Sequence, residues 1–528
     1  MRTIRDDVFD VLRAHQMTKI FANPGSTEVP LLVDLPDDLE FVLGLHEASV
    51  VGMATGWAIG SGQAGLVLLH TTAGLGNAVG AIATARVNRA PLVVLVGQQD
   101  RRHVSSVPFL AGELEGLAGN YPVWVGSPAR AQDLASVVSR AHHEAVVGRG
   151  PALVIVPMND WNEPSTAPAR IAAPTTLRVA AGLDSALSAE VSELLTQAER
   201  PVLVVGAGAD DEKTWLALKA VAEVLDCPVW QEPFGARAGF PQQDGRFIGH
   251  LPSGRSGLRA ALKDHDLVLV VGAPALRQYN YEEGPLFAEN VTVVVVSDDA
   301  SEAAYSTSDI AVVTPLAPFF EAIAAQTPPR ELKAMPPRAE LPDPPPPVLG
   351  EPLRPQHVFG ALQQRLPDDL VIVEESPSSR SDLQAMVPPR QSLGFLSAAM
   401  GGLGFALPAA TGLKMALPHR SIVAVVGDGS SLYSVQALWS AQHYGVGVLF
   451  VVLSNGGYAI MNHLAHLVGG KAPWPNFADV RVEGLATALG CPARRIETYE
   501  ELLNELDSII PTLPTRRQPI LLNVVVSA

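Results

Sequence analysis

Cysteine is nearly absent from this chain, which contains only two among 528 residues. Cys227 and Cys491 stand far apart in the sequence, and both have apolar neighbours. This pattern favours two buried free thiols over a disulfide, because small secreted domains that depend on disulfides carry many more cysteines. Free thiols are typical of a reducing compartment, so we expect a cytoplasmic protein.

Positive charge is also scarce. Lysine and arginine together number 37, against 54 aspartates and glutamates, which leaves a formal net charge of −17. An acidic surface does not attract nucleic acid or anionic lipid, so neither is expected as a partner. No apolar run reaches the length of a transmembrane helix, and the N-terminal segment carries acids where a signal peptide needs an apolar core.

The length of the chain exceeds what a single hydrophobic core can support and predicts three domains. Short apolar runs alternate with segments of helical periodicity, which predicts α/β domains with doubly wound parallel sheets. Changes in composition divide the chain into a first domain (1–180), a middle domain (181–330), a Pro-rich linker (331–355) and a third domain (356–528). The repeated prolines of the linker prevent it from forming helix or sheet.

The third domain contains a predicted β-α-β unit with polar residues at both strand ends. A Gly-Asp-Gly turn with Asp428 at its centre follows the first apolar run, and Asn455 follows the second. Because parallel strands end at the same edge of a sheet, we expect these two side chains to lie together. A carboxylate and an amide oxygen suit Mg²⁺, and a helix after Ser430 would present free N–H groups to an anion. The pattern therefore predicts a site for a metal-bridged diphosphate.

Three polar residues of the first domain also follow predicted strands. Ser26 lies in a Pro-Gly turn, Glu47 lies where a strand passes into a helix, and His70 ends a strand before a Gly-rich turn. Each has a structural explanation when it is taken singly, as a turn cap, a helix-terminal acid or a half-buried histidine. Their shared position at one sheet edge, together with the Gly-Asp-Gly unit, favours a catalytic interpretation.

The Gly-Asp-Gly turn, with Ser454-Asn455 about two dozen residues later, resembles the signature of thiamine-diphosphate (ThDP) enzymes, in which two asparagines stand at the place of Ser454-Asn455. Along its whole length the chain resembles the 2-oxo acid decarboxylases of that family, and benzoylformate decarboxylases most of all. The resemblance implies pyrimidine-binding, middle and diphosphate-binding domains. It also implies ThDP and Mg²⁺ as cofactors, with Ca²⁺ as a substitute expected in crystals. The active unit would be a homodimer or homotetramer with sites at the subunit interface, acting on a small 2-oxo acid or aldehyde.

The resemblance also assigns roles to individual residues. Glu47 would bond to N1′ of the cofactor's pyrimidine, His70 would relay protons, and Ser26 would orient the substrate carboxylate. The cofactor-binding residues would be Gly401, Leu403, Gly427, Gly429, Ser430 and Tyr458, with Leu403 as a wedge on a helix spanning 397–412. The metal ligands would be Asp428, Asn455 and the carbonyl of Gly457. The substrate pocket would contain Phe109, Leu110, Pro377, Ile460 and Leu464.

The sequence departs from the family at two places that bear on the substrate. Tyr279 stands where benzoylformate decarboxylases carry a second active-site histidine, and Ile460 and Leu464 differ in size from the family's residues. The mostly aliphatic pocket predicts decarboxylation of benzoylformate or a branched 2-oxo acid in preference to pyruvate, with aldehyde carboligation as a side activity.

Two alternative functions remain open at this point. The first is a carboligase similar to acetohydroxyacid synthase, which would hold FAD in the middle domain. FAD is not expected, because the G-A-G-A-D-D segment at 206–211 has Asp211 where a dinucleotide fingerprint has its third glycine. The second is a non-catalytic ThDP-binding relative, against which the presence of Glu47 and His70 argues.

Overall fold

The computed structural model describes residues 1–166, 182, 184–330, 346–348 and 350–527. These residues form three six-stranded sheets in which all strand pairings are parallel. The predicted α/β class, with three doubly wound parallel-sheet domains, is confirmed. Most of the predicted linker, 331–345 and 349, lies outside the described residues, as does 167–181, so the domain boundaries stay predictions.

The first sheet is built from the N-terminal part of the chain. Its strands are β1 (Lys19–Asn23), β2 (Glu40–Leu43), β3 (Gly65–His70), β4 (Leu92–Gln98), β5 (Trp124–Gly126) and β6 (Pro151–Pro157), and its helices are α1 (Ile4–Ala14), α2 (Val29–Leu32), α3 (Glu47–Ser61), α4 (Thr71–Val87) and α5 (Leu134–Gly148). The spatial order is β2-β1-β3-β4-β6-β5. Side chains alternate along each strand, so Leu66 and Leu68 pack with α1 and α5, whereas Val67 and Leu69 pack with α3 and α4.

The second sheet repeats this arrangement. Its strands are β7 (Pro201–Val205), β8 (Val229–Gln231), β9 (Phe247–His250), β10 (Leu267–Val271), β11 (Thr292–Ser297) and β12 (Ile310–Val313), and its helices are α6 (Ser185–Gln197), α7 (Glu212–Leu225), α8 (Arg255–Leu262), α9 (Ala300–Tyr305) and α10 (Leu316–Gln326). The spatial order is β12-β11-β10-β7-β8-β9. The strand order reverses between β7 and β10, which is where ligands of open α/β sheets bind.

The third sheet carries the Gly-Asp-Gly turn. Its strands are β13 (Val371–Glu375), β14 (Phe395–Ser397), β15 (Ile422–Gly427), β16 (Leu449–Ser454), β17 (Ala493–Ile496) and β18 (Ile520–Val525), and its helices are α11 (Pro355–Gln363), α12 (Arg380–Met386), α13 (Ala406–Ala416), α14 (Asp428–Ser431), α15 (Ala437–His443), α16 (Ala459–Leu467), α17 (Val482–Ala488) and α18 (Tyr499–Ile509). The spatial order is β14-β13-β15-β16-β18-β17. Its two faces bury separate cores, one with α11 and α18 and the other with α13 and α15.

Three local predictions were wrong. The Gly-rich turn predicted after His70 is the first part of α4, which begins at Thr71. The small-residue helix predicted over 397–412 begins only at Ala406, because Gly401 and Gly404 adopt the left-handed backbone conformation with φ of 71° and 91°. The helix predicted after Ser430 is the short α14, and helical structure resumes only with α15.

The predictions about cysteine and membrane spans can be compared directly with the structure. Cys227 and Cys491 are free and buried, as predicted. Burial raises the pKa of both thiols to about 12, so neither is a reactive thiolate at neutral pH. In the part of the chain that the structure describes, no helix is both long and apolar enough to cross a bilayer.

The first and third domains meet where α3 packs against α13 at backbone distance. A Cβ at Gly56 would lie 2.0 Å from the carbonyl oxygen of Ala409, and a Cβ at Gly412 would lie 1.8 Å from that of Met53. Only glycine permits this approach. Because α3 begins at Glu47 and α13 follows Leu403, the contact sets the relative positions of two predicted site segments.

We predict that Gly412→Ala destabilises the protein by about 1–3 kcal/mol, because the new methyl group forces the two helices apart. The matched control is Gly484→Ala on α17, where a Cβ meets only the Cβ of Arg481 at 3.5 Å. That substitution should be neutral or slightly stabilising. Differential scanning calorimetry of both variants measures the effect, and equal melting temperatures would contradict the packing argument.

Candidate active site

Asp428 and Asn455 lie together at the carboxyl edge of the third sheet, as their strand ends predict. Strands β15 and β16 are paired neighbours, with Gly427 opposite Leu453. The two carboxylate oxygens of Asp428 accept hydrogen bonds from the N–H groups of Gly429 and Gly456, each at 2.7 Å. The side-chain oxygen of Asn455 accepts a bond from the N–H of Gly457 at 3.0 Å. Both side chains are therefore held in place by the loops that follow their strands.

The carboxylate of Asp428 is buried, yet no ion pair to it occurs among the described residues. Burial raises its pKa above the ordinary value, while the backbone N–H groups of Gly456 and Gly429 oppose this effect. A bound cation would supply the missing positive charge. The described residues contain no group of three or more histidine, cysteine or acidic side chains suited to a metal. The donors at this edge are one carboxylate, one amide and the nearby carbonyl of Gly457, which suits Mg²⁺ because Mg²⁺ takes few protein oxygens.

The turn that follows β15 presents bare backbone beside Asp428. A Cβ at Gly429 would lie 2.8 Å from the ring of Tyr458, so a larger residue does not fit there. Tyr458 in turn packs against Phe477 with ring centroids 5.0 Å apart. Ser430 is buried in the same turn. These residues form a glycine cradle of the kind that lets a phosphate approach the main chain.

Ser454 departs from the family signature, and the structure shows where its side chain lies. Its hydroxyl donates to the side-chain oxygen of Asn523 on the neighbouring strand β18. Asn523 is buried and donates to Glu483 at 2.6 Å. Ser454 is therefore engaged in the sheet and not at the Asp428 edge, so a serine at this position leaves the predicted metal ligands intact.

Leu403 protrudes from the loop before α13 and is 39% exposed although it is apolar. Gly401 and Gly404 flank it in left-handed conformations. The carboxylate of Glu375, at the end of β13, accepts bonds from the N–H groups of Gly404, Phe405 and Ala406 at 2.5 to 2.8 Å. Burial raises the pKa of Glu375 to about 7, against the three hydrogen bonds.

Ser26, Glu47 and His70 lie at the carboxyl edge of the first sheet, as predicted. Ser26 is exposed in the turn after β1, Glu47 begins α3 after β2, and His70 ends β3. These three strands are adjacent in the order β2-β1-β3. Glu47 accepts a hydrogen bond from the side chain of Asn77 at 3.1 Å.

Sequence reasoning missed Glu28, which is buried and binds His70. One carboxylate oxygen lies 3.0 Å from Nδ1 of His70, and the hydroxyl of Thr27 lies 2.9 Å from the same nitrogen. The environment is shaped around this pair, because a Cβ at Gly25 would overlap the imidazole and a Cβ at Gly97 would overlap the carboxylate. Since a carboxylate only accepts hydrogen bonds, Nδ1 carries the proton, and Nε2 has no partner among the described residues.

Glu28 and Glu375 could have been found by the signal that identified Asp428. Glu375 is an acid that directly ends an apolar strand, and Glu28 follows Ser26 closely in the turn after β1. Their partners could not have been found in this way. His70 is 42 residues from Glu28, and the nearest N–H group bound to Glu375 is 29 residues away.

The two groups of site residues belong to different domains. No hydrogen bond or ion pair in the described ranges joins Ser26, Glu47 or His70 to the Asp428 edge.

The predicted pocket residues are also divided between the first and third domains. Pro377, Ile460 and Leu464 belong to the third domain, where the N–H of Ile460 lies 3.1 Å from the hydroxyl of Ser378. Phe109 and Leu110 belong to the first domain and are 88% and 38% exposed. Tyr279 is 64% exposed in a loop of the middle domain.

Comparison with known domain families identifies the class of protein. Residues 2–118 match the N-terminal TPP binding domain of thiamine pyrophosphate enzymes, 188–323 match their central domain, and 379–524 match their C-terminal TPP binding domain. The three matches fall on the three sheets in order. The chain is therefore a thiamine-diphosphate enzyme.

Individual relatives narrow this class. The chain is 36% identical over 512 residues to benzoylformate decarboxylase of Pseudomonas aeruginosa, covering 95% of each chain. It is also similar in structure to the thiamine diphosphate-dependent 4-hydroxybenzoylformate decarboxylase of Rhodococcus jostii, with a TM-score of 0.94, 32% identity and coverage of 100% of this chain and 99% of that one. An acetolactate synthase large subunit from Parasynechococcus marenigrum is 29% identical over 478 residues, covering 85% of this chain and 75% of its own. The chain belongs to the benzoylformate decarboxylase family and is a ThDP-dependent carboxy-lyase.

Proposed function

We propose that this enzyme decarboxylates a 2-oxo acid with an aromatic or branched apolar substituent, such as benzoylformate, to an aldehyde and CO₂ in the cytoplasm. The observation that carries the proposal is the buried pair of Glu28 and His70 beside Ser26. It supplies an oriented proton relay at the edge of the pyrimidine-binding domain. The similarity to benzoylformate decarboxylases supports the choice of substrate class.

The third domain would hold the cofactor. Asp428, Asn455 and the carbonyl of Gly457 would hold Mg²⁺, whose charge would offset that of the diphosphate of ThDP. Gly427, Gly429 and Ser430 would hold the diphosphate, and Gly401, Leu403 and Tyr458 would hold the rings. When bound, ThDP supplies a carbon nucleophile for the ketone and accepts the electrons released as CO₂ leaves.

The first domain would handle the protons. Glu47 would share a proton with N1′ of the pyrimidine, and Ser26 would donate a hydrogen bond to the substrate carboxylate. His70 would move a proton to and from the oxygen of the former ketone through Nε2. Glu28 fixes the proton on Nδ1, which leaves Nε2 as the ring nitrogen that exchanges protons with the substrate.

We predict that Glu28→Gln lowers kcat roughly 10–100-fold while ThDP affinity stays unchanged, because the amide can also donate toward Nδ1 and no longer selects one tautomer of His70. Steady-state kinetics and calorimetric titration measure the two quantities. Asp160→Asn is the control, because it removes another fully buried carboxylate of the same domain, which binds Arg101. A wild-type kcat in a folded Glu28→Gln variant would contradict the role of Glu28.

The predicted pocket residues Phe109, Leu110, Pro377, Ile460 and Leu464 would form an apolar, mostly aliphatic surface where the first domain of one subunit meets the third domain of the other. Each methylene that such a surface buries contributes about 0.8 kcal/mol. We therefore expect kcat/KM for benzoylformate or 3-methyl-2-oxobutanoate to exceed that for pyruvate by roughly 10²-fold or more. The assay measures CO₂ release with and without ThDP and Mg²⁺, and 2-hydroxyketone formation from added aldehydes tests the carboligase side activity. Pyruvate as the best substrate would overturn the pocket argument and leave the cofactor argument intact.

An FAD-dependent carboligase function has less support. In the middle domain the loop after β7 lies against the loop after β10, where a dinucleotide would bind. A Cβ at Gly206 would lie 2.4 Å from the Cβ of Ala273, and a Cβ at Gly208 would lie 2.9 Å from Gly272. These glycines thus allow two loops of the chain's own backbone to come close together. The retained Glu47 and His70 argue against a non-catalytic relative.

We further propose that the active unit is a homodimer, or a homotetramer made of such dimers. Glu47 of one subunit would serve the Asp428 edge of the other, as the resemblance to the family implies, and no hydrogen bond or ion pair joins the two groups within the described residues of one chain. Large apolar side chains on both sides are exposed, including Phe109 at 88% and Val468 at 84%. Burial of these side chains would stabilise the association.

We predict that Glu47→Gln and Asp428→Ala are each nearly inactive, and that Asp428→Ala also loses Mg²⁺-dependent ThDP binding in calorimetry. The two variants, co-expressed with different tags and purified as a hybrid dimer, should regain about half of the wild-type activity, because one of the two shared sites is intact. Sites contained within single chains would leave the hybrid inactive, which is the outcome that contradicts the proposal.

A further inference from the structure

We propose that Glu375 is a positioning residue for the cofactor, because its buried carboxylate holds the turn that carries Leu403. This inference rests on the proposed function only for the contact between Leu403 and ThDP. It does not depend on which 2-oxo acid the enzyme uses, or on whether decarboxylation is its main activity.

The contacts of Glu375 converge on one turn. Oε1 accepts a bond from the N–H of Gly404 at 2.5 Å, and Oε2 accepts bonds from Phe405 at 2.8 Å and Ala406 at 2.6 Å. Together these are three consecutive N–H groups at the start of α13. The residue that caps α13 is Phe405, whose apolar side chain cannot accept them. Glu375 therefore caps α13 from the end of strand β13, 29 residues or more away in the sequence.

The arrangement costs free energy that a purely structural cap does not require. Glu375 is only 4% exposed, and no cation pairs with it in the part of the chain that the structure describes. An unpaired buried carboxylate is expensive, whereas an ordinary N-cap is a serine, threonine, asparagine or aspartate that directly precedes the helix. What this carboxylate adds is a rigid connection between the end of β13 and the loop before α13.

The earlier part of that loop is held by the first domain, where the side chain of Asn88 bonds to Ser397 and Ala399 at 2.8 Å. Nearer to Leu403 the loop has more freedom, because Gly401 is in the left-handed conformation and has no atom within 4 Å of the position where a Cβ would lie. Leu403 itself is 39% exposed. The three bonds to Glu375 begin at the very next residue, so they set the direction in which Leu403 points.

The same turn lies beside the diphosphate cradle. Strand β13 pairs with β15, so that Glu375 stands opposite Val426, which precedes the Gly-Asp-Gly turn. A single strand end thus positions the wedge next to the metal edge. Displacement of the turn would separate two parts of the cofactor site without touching a metal ligand.

Glu374 provides a matched control. It precedes Glu375 on the same strand, is 3% exposed and points to the other face of the sheet. Its carboxylate accepts a bond from the N–H of Ser376 at 2.5 Å and lies 3.5 Å from Arg380. It makes no hydrogen bond to the 404–406 turn.

The experiment titrates full-length apoprotein with ThDP in the presence of Mg²⁺ by calorimetry, and near-UV circular dichroism checks the fold of each variant. We expect Glu375→Gln to raise Kd for ThDP roughly 10–100-fold, because the amide turns a donor toward N–H groups that need acceptors. Glu374→Gln should change Kd far less. Equal Kd values for the wild type and Glu375→Gln, or equal losses in both variants, would overturn the inference.

A double-mutant cycle with Leu403→Ala separates positioning from general destabilisation. If Glu375 acts through Leu403, the effects of Glu375→Gln and Leu403→Ala on Kd should be strongly non-additive. Additive effects would contradict the inference. Should Glu375→Gln fail to fold, Glu375→Asp, which keeps the charge but shortens the side chain, enters the same cycle.

A wild-type protein that does not bind ThDP would refute the cofactor assignment itself, whereas binding without turnover would refute only the proposed reaction.

Discussion

The close contact between α3 and α13 is the constraint on which the rest of the structure depends. The two helices approach until Gly56 and Gly412 each face a carbonyl oxygen of the other helix. At these two glycines no side chain lies between the helices, so neither helix can slide without a clash of backbone atoms. This contact holds the first and third sheets in a single orientation. It also fixes the relative positions of Glu47, which begins α3, and of the Leu403 turn, which precedes α13. Both carboxyl edges gain defined positions from this contact.

Three of the buried carboxylates at these edges are satisfied by backbone or polar groups and not by lysine or arginine. Asp428 binds two loop N–H groups, Glu375 binds three at the start of α13, and Glu28 binds an N–H, a hydroxyl and an imidazole. Such hydrogen bonds offset part of the cost of burying a charge. They also leave the negative charge of the carboxylate available to act on a further group. At Asp428 this charge suits a metal ion, and at Glu28 it orients a histidine.

The middle domain has a different part in the architecture. Arg89 of the first domain reaches Asp298, Asp299 and Glu302 at the end of β11 and the start of α9. This ion-pair network joins the two domains. Because Arg89 is almost fully buried, removal of one partner would leave an unpaired buried charge and destabilise the contact. Beside it, Gly206 and Gly208 of the loop after β7 approach Ala273 and Gly272 of the loop after β10 closely.

The sequence by itself determined the fold class and the sheet edges at which the polar residues of the predicted site lie. Alternating apolar runs predicted parallel sheets, and parallel strands necessarily bring their ends to one edge, so the positions of Asp428, Asn455, Ser26, Glu47 and His70 followed from strand ends alone. Only the tertiary structure decided which distant groups meet. The pairing of Glu28 with His70, the cap that Glu375 places on α13, and the bond from Ser454 to Asn523 all join separate elements. Local periodicity carries no information about such contacts, because they depend on how sheets and helices pack and not on the residues between them.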